Sequence, residues 1–263
     1  MNKSQFFDKS WCRFKYDETL MQWISLALPC ARETVAAEKN AQWLRCGGTW
    51  FAGVNLLPNA VDGSVSGSSS MQGEASDFIE ETLGLDGFDW DRAQVSVCYP
   101  GYPRPMPGES EAAFGYRQDR DAAHVDGFLA EGSERHRHLR EYHGFILGIP
   151  MVEFSPGASP FVVWEGSHEV IRKTFTGVFR GVPAEQWGEM DITGEYHEVR
   201  RRIFDRCKRV EIYARPGEAY LVHRLALHGV APWQSTASAT VDGRMICYFR
   251  PETGSPEAWL VNP

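Results

Sequence analysis

Three residues of this chain have the types and spacing to hold one metal ion. In Ala123-His124-Val125-Asp126-Gly127 a histidine and an aspartate stand two positions apart. On an extended strand, where side chains alternate, both project to one side. A later apolar run ends in Ala226-Leu227-His228-Gly229-Val230 and offers a second imidazole. Two neutral imidazoles and one carboxylate on one side of an ion, with the opposite positions open, form the facial donor set of non-haem Fe(II) oxygenases. Three protein ligands leave positions for substrates, whereas a fourth strong one would block them. Taken alone, His124 would default to a structural histidine; Asp126 at i+2 and His228 at the end of a later strand favour the ligand reading.

Other candidates carry weaker signals. His223 lies five residues before His228, on the opposite strand parity, and reads as structural. His168 closes the turn Gly166-Ser167-His168, whose first task is to shape the chain after a strand, with substrate contact as the second reading. Tyr99, Tyr116 and Trp164 are candidates to line a pocket, although aromatic residues at strand ends commonly serve the core. The run Glu134-Arg135-His136-Arg137-His138-Leu139-Arg140 mixes charges densely, which suits a solvated face. Its place just after Asp126 supports a second reading, a cationic loop, Arg137 included, that receives an acidic substrate above the ion.

The elements that must position these residues follow from periodicity and punctuation. Helical spacing covers residues 17–28 and is interrupted by Pro29; a second helix, 33–44, ends at Gly47-Gly48. Residues 49–59 read as strand into loop, 61–76 as a flexible Ser/Gly-rich loop inside the domain, and 77–83 as a short helix. Strand signals follow at 94–99, from 121 onward, and at 145–154, 161–164, 209–214, 219–223, 225–230 and 245–249. An insertion at 169–207, with a helix over 195–207, interrupts the rhythm; it reads as a lid or binding loop, or as surface decoration. Short strands without βα alternation, and helices gathered at the front, predict a mainly-β fold: a double-sheet jelly roll with a helical cover.

Length and composition bound the rest. A chain of 263 residues can bury one substantial core, so a single domain is expected, with a helical part at about 1–90 and a β core at about 94–251. Nine Trp, nine Tyr and fifteen Phe suit strands and a large pocket. A net charge of -8 gives no electrostatic reason to bind nucleic acid or an anionic membrane, which leaves a small molecule as the expected partner. Six cysteines without a C-x-x-C pair, and no charged-then-apolar leader, predict reduced thiols and a cytoplasmic location. No apolar run approaches the roughly 20 residues of a membrane span.

The ordered set His124-Val125-Asp126, Trp164-Glu165-Gly166-Ser167-His168, Arg215-Pro216-Gly217-Glu218, and His228-Gly229 followed by a strand opening at Arg244 resembles the phytanoyl-CoA dioxygenase-like branch of the Fe(II)/2-oxoglutarate-dependent oxygenases. The resemblance spans about 94–251 and rests on order and spacing more than on any one motif. It implies a double-stranded β-helix, Fe(II) held by His124, Asp126 and His228, and 2-oxoglutarate and O2 as cosubstrates. Oxidation of a prime substrate, most simply its hydroxylation, would be coupled to release of succinate and CO2. A retained Asp126 argues against halogenation. Two arginines compete for the far carboxylate of 2-oxoglutarate, Arg244 and Arg250, six residues and roughly 20 Å apart along a strand, too far for both to reach one five-carbon diacid. The resemblance puts that residue near the strand's opening, which selects Arg244. A cupin-type metal dioxygenase that does not use 2-oxoglutarate and a catalytically silent jelly-roll binding module are the alternatives.

Overall fold

In the computed structural model, which describes residues 2–85, 87–252 and 254–262, the chain opens with α1 (Asn2–Lys9), β1 (Trp11–Phe14), α2 (Glu18–Ala36), β2 (Leu44–Arg45), β3 (Trp50–Gly53) and α3 (Glu74–Leu83). It continues through β4 (Gln94–Cys98), α4 (Glu111–Asp119), β5 (Phe128–Glu131), β6 (His136–Leu139), β7 (Phe145–Pro150) and β8 (Phe161–Trp164). The last third holds α5 (Ser167–Val178), α6 (Thr193–Arg206), β9 (Arg209–Ile212), β10 (Ala219–His223), β11 (His228–Val230), β12 (Arg244–Phe249) and α7 (Pro256–Val261). Among the described residues no helix is long and apolar enough to cross a membrane.

The sheets are antiparallel and do not close into a barrel. Seven strands run in the order β1-β10-β7-β12-β4-β3-β2, three in the order β11-β8-β9, and β5 with β6 form a separate hairpin. The two larger sheets meet through side chains: the Phe161 ring on β8 lies 5.4 Å from Tyr220 on β10 and 5.8 Å from Tyr248 on β12. From β4 onward the pairings nest, β4 with β12, His124 with His228, β7 with β10 and β8 with β9. The chain is thus doubled back on itself, and the innermost connection is the segment between β8 and β9.

Burial explains most of the strands. Every residue of β7, β8, β10 and β12 is buried, so these strands read as continuous apolar runs, as expected where both faces are covered. The main core fills the large sheet beneath α2, whose Leu20, Trp23, Ile24 and Ala27 face inward.

Four expectations are corrected. Pro29 does not end the first helix; α2 runs through it to Ala36, and the remainder, Glu38–Trp43, is a 3-10 turn. Pro29 and Ser25 are both exposed, so the Ser25 carbonyl that loses its intrahelical partner can be met by water. The 61–76 loop is packed, because Val65 and Met71 are buried and the indole of Trp23 donates to the Gly63 carbonyl. The segment from Asp121 is no regular strand. Asp121 and Ala122 both have left-handed φ, 54° and 53°, and His124 makes a single β-bridge. Finally, the 169–207 insertion is not a loop laid over the surface. Ile171, Phe175, Tyr196, Val199 and Ile203 from α5 and α6 build a second core with Ala123, Val125 and Phe128, so the insertion is a packed wall behind the His124 segment.

Candidate metal centre

His124 and His228 are joined through their backbones. Each amide donates to the other's carbonyl, at 2.8 and 2.9 Å, which fixes the two imidazoles side by side with ring centroids 4.5 Å apart. The segment bearing His124 is pinned elsewhere too. Arg209 grips the Asp121 carboxylate with Nε and Nη2, at 2.7 and 2.9 Å, the Tyr116 hydroxyl donates to the Ala123 carbonyl at 2.7 Å, and Val125 N–H donates to the Tyr196 hydroxyl at 3.1 Å. Two glycines allow the close approach. A Cβ on Gly229 would stand 2.1 Å from the Asp121 carbonyl oxygen, and Gly127, at φ +91°, turns the chain after Asp126 where a Cβ would meet the Glu141 carbonyl oxygen at 2.5 Å.

One donor atom from each of His124, Asp126 and His228 lies within 4.8 Å of the other two. Asp126 Oδ1 is 3.3 Å from His124 Nε2 and 3.6 Å from His228 Nε2. Donors about 2.1 Å from a common ion and at right angles to each other are about 3 Å apart, near the two separations from Asp126. The tautomers suit this. Nδ1 of His124 lies 3.0 Å from the Ala122 carbonyl and Nδ1 of His228 lies 3.0 Å from the Ala226 carbonyl. A carbonyl only accepts, so each Nδ1 carries the proton and each Nε2 keeps its lone pair for a metal.

The electrostatics keep Asp126 and His228 in donor form. Burial alone would push the Asp126 carboxyl up, but Arg250 and the two imidazoles outweigh it and hold it well below the usual carboxylate range. Burial, opposed by Asp126, pushes His228 down to about 4, so it is neutral at physiological pH. Arg250 stands 3.3 Å from Asp126 Oδ2, engaging one carboxylate oxygen and leaving Oδ1 toward the imidazoles. Arg250, set aside in favour of Arg244 on the sequence alone, pairs with the candidate ligand Asp126 because β12 ends beside the centre.

Arg244 opens β12, wholly buried, with Nη2 donating to the Tyr248 hydroxyl at 3.1 Å and the guanidinium over the Phe154 ring. Its Nε and Nη1 have no hydrogen-bond partner among the described residues. Orphaned donors on a buried cation suit an anion; Nε and Nη1 lie on different edges of the guanidinium, so each would donate separately, Nη1 on the edge it shares with Nη2. Strand alternation sets Arg244, Ile246, Tyr248 and Arg250 on one face of β12.

Two cavities share His124 and Asp126 in their walls. The inner one, about 200 Å³, is lined by Trp50, Ser96, Phe161, His228, Tyr248 and Arg250 among others. The outer cleft, about 800 Å³, is lined by Tyr116, Phe128, Arg137 and Arg200 among others. Of the residues expected near a pocket, Tyr116 and Arg137 line the outer cleft. Trp164 and His168 lie away from both cavities: Trp164 packs on Phe204 at 5.2 Å, and His168 sits buried with Nε2 donating to the Phe7 carbonyl at 2.9 Å. Tyr99 packs at the edge of the main core. Sequence reasoning did not find Tyr196 and Arg200, whose helix was read only as part of an insertion.

No protein-family model and no curated protein matches the chain. Among solved structures, similarity extends to the non-heme alpha ketoglutarate dependent epimerase SnoN from nogalamycin biosynthesis, at 14% identity over 95% of this chain and 79% of that one, TM-score 0.46. The carbocyclase SnoK of the same biosynthesis overlaps at 11% identity, 95% and 83% coverage and TM-score 0.47. EctD from S. alaskensis, solved with 2-oxoglutarate and 5-hydroxyectoine, overlaps at 13% identity, 95% and 74% coverage and TM-score 0.47. Overlaps of this quality carry no functional weight for this chain.

Proposed function

We propose that this protein is an Fe(II)- and 2-oxoglutarate-dependent oxygenase, one domain built on a double-stranded β-helix, that oxidises a small molecule, most simply by hydroxylation. The nested strand pairing supports the jelly-roll reading. The observation that carries the functional reading is a three-donor centre sharing a sheet sandwich with a buried guanidinium that has two orphaned donors. A bare metal site would not need the second, and a silent binding module would not need the first.

In this reading His124, Asp126 and His228 hold the iron, and Arg244 receives the far carboxylate of 2-oxoglutarate. The bound iron would supply oxygen activation at the cost of the keto acid, releasing succinate and CO2. The chain's own work is orientation and exclusion. The carbonyls of Ala122 and Ala226 set the tautomers, Arg250 holds Asp126 ionised, and Phe161, stacked on His228 at 5.3 Å and 8°, shields the buried imidazole. Free thiols at all six cysteines suit a reducing, cytoplasmic location.

The test is anaerobic addition of Fe(II) and then 2-oxoglutarate, watching for the weak visible charge-transfer absorption of the chelate. Its appearance is expected. Iron binding without that absorption would sink the 2-oxoglutarate reading in favour of a cupin-type dioxygenase, and failure to bind iron would sink both.

A further inference from the structure

The charged run 134–140 divides when its partners are traced. His136 sits between Glu134 and Asp191, at 2.8 and 2.6 Å, and Arg140 is held by both oxygens of Glu131, at 2.6 and 2.9 Å. Arg137, between them on β6, turns to the outer cleft and has no ion-pair partner among the described residues; its Nη1 donates to the Phe128 carbonyl at 2.8 Å. Arg200 reaches the same cleft from α6, with Nη1 donating to the Tyr116 hydroxyl at 2.8 Å. It too lacks an ion-pair partner among the described residues, and its buried Nε has no hydrogen-bond partner. Both guanidinium groups pack on one ring, 5.2 and 4.7 Å from the Tyr196 centroid.

The carboxylates in the cleft wall are already engaged, Glu109 by Arg117 and Asp126 by Arg250. Two partly buried like charges sharing a ring repel one another and are stabilised by an anion that neither has within the protein. The planar fork of arginine matches a carboxylate or a phosphate. Beside it Met106, Val125, Phe128 and Leu129 give the cleft an apolar wall, and its volume of about 800 Å³ admits a metabolite-sized molecule.

We infer that the outer cleft binds an organic anion, a carboxylate or phosphate monoester with an apolar body, anchored by Arg137 and Arg200 so that the body lies against His124 and Asp126. That this anion is then oxidised rests on the oxygenase reading; that it binds does not.

Calorimetric titration of the full chain, with and without Fe(II) and 2-oxoglutarate under anaerobic conditions, tests the inference with matched probes: 4-phenylbutyrate against 4-phenylbutanamide, and benzyl phosphate against benzyl alcohol. At least one anion is expected to bind about tenfold or more tightly than its neutral partner. Arg137→Met and Arg200→Met should each remove about tenfold of that affinity, and Arg140→Met, paired outside the cleft, should remove none. Where a methionine variant does not fold, Arg137→Lys and Arg200→Lys keep the charge and lose the fork, and should weaken binding by a smaller factor. Neutral probes binding as well as anions, no anion binding at all, or an unchanged preference in both cleft variants would each overturn the inference. The chelate absorption, read on the same samples, separates the two claims: anion preference without the absorption leaves the cleft assignment standing and removes the oxygenase reading, and the reverse removes only the cleft assignment.

Discussion

Tyr196, from the helix α6 that follows β8, accepts the amide hydrogen of Val125 at 3.1 Å, the residue between His124 and Asp126. A side chain contributed from α6 therefore sets the backbone between two of the candidate metal donors. Tyr196→Phe would leave that buried amide without its acceptor, at a cost of about 1–3 kcal/mol. Loss of a group that orients ligands commonly lowers metal affinity about 10-fold or more. Tyr196→Phe is expected to bind Fe(II) or Co(II) about tenfold more weakly while remaining folded, as read by metal titration and circular dichroism. Unchanged affinity would show that the bridge to His228 alone suffices.

His124→Ala, Asp126→Ala and His228→Ala should each abolish tight iron binding and turnover and leave the fold intact. The cores beneath them are large and apolar, unlike that of a small zinc domain whose folding energy is its metal. Metal analysis and circular dichroism on all three variants decide this. Full iron content and full turnover in any variant would strike that residue from the ligand set.

How much of this was legible in the sequence depends on how far apart in the chain each contact is made. Residues 161–164 and 219–223 read correctly as strands because wholly buried strands bounded by turns appear as unbroken apolar runs. The hairpin β5–β6 was not legible. His136–Leu139 is only partly buried, so its charges conceal any alternation. The candidate metal donors could be picked out because two of them are two residues apart. The pairing of Arg250 with Asp126 was not legible because the two lie 124 positions apart, and Tyr196 was missed because its partner Val125 lies 71 positions away. Periodicity reports which face of an element is buried, not what it is buried against.

Asp91 gives the apoprotein a pH dependence with a definite sign. Its Oδ1 accepts the Arg250 amide at 2.9 Å, and burial, partly opposed by Arg250 and His143, pushes its carboxyl up to about 6. A carboxyl raised on folding binds protons more tightly in the folded state. Its stabilising contribution is therefore complete below the unfolded value near 4 and is lost as pH rises through 6. Asp91→Asn keeps an acceptor for the amide and removes the buried charge. The variant should match or fall below the wild type at pH 4 and exceed it by about 1–3 kcal/mol at pH 8, after allowance for partial exposure. Urea denaturation at the two pH values checks this, and a variant less stable at pH 8 than at pH 4 relative to wild type would reverse the sign.

The two arginines of β12 should fail in different ways. Arg244 is a buried cation with Nε and Nη1 unpartnered among the described residues, so in the ligand-free protein it is an incompletely compensated charge. Replacing such a charge by an apolar side chain of similar length is often neutral or stabilising. Arg244→Met should accordingly leave the apoprotein as stable as wild type or more so, and leave iron binding intact. A buried charged pair that loses one partner forfeits roughly 3–5 kcal/mol, and each ~1.4 kcal/mol is a factor of ten, so 2-oxoglutarate affinity should fall by about a hundredfold or more. Arg250 instead faces Asp126 Oδ2, and its loss acts on the metal. With only the imidazoles left to oppose burial, the Asp126 carboxyl rises, and the acid limit of iron binding in Arg250→Met moves to higher pH. Titrations of Fe(II) across pH, and of 2-oxoglutarate at fixed pH, separate the two variants. If Arg250→Met abolishes 2-oxoglutarate binding while Arg244→Met does not, the roles of the two ends of the strand are exchanged.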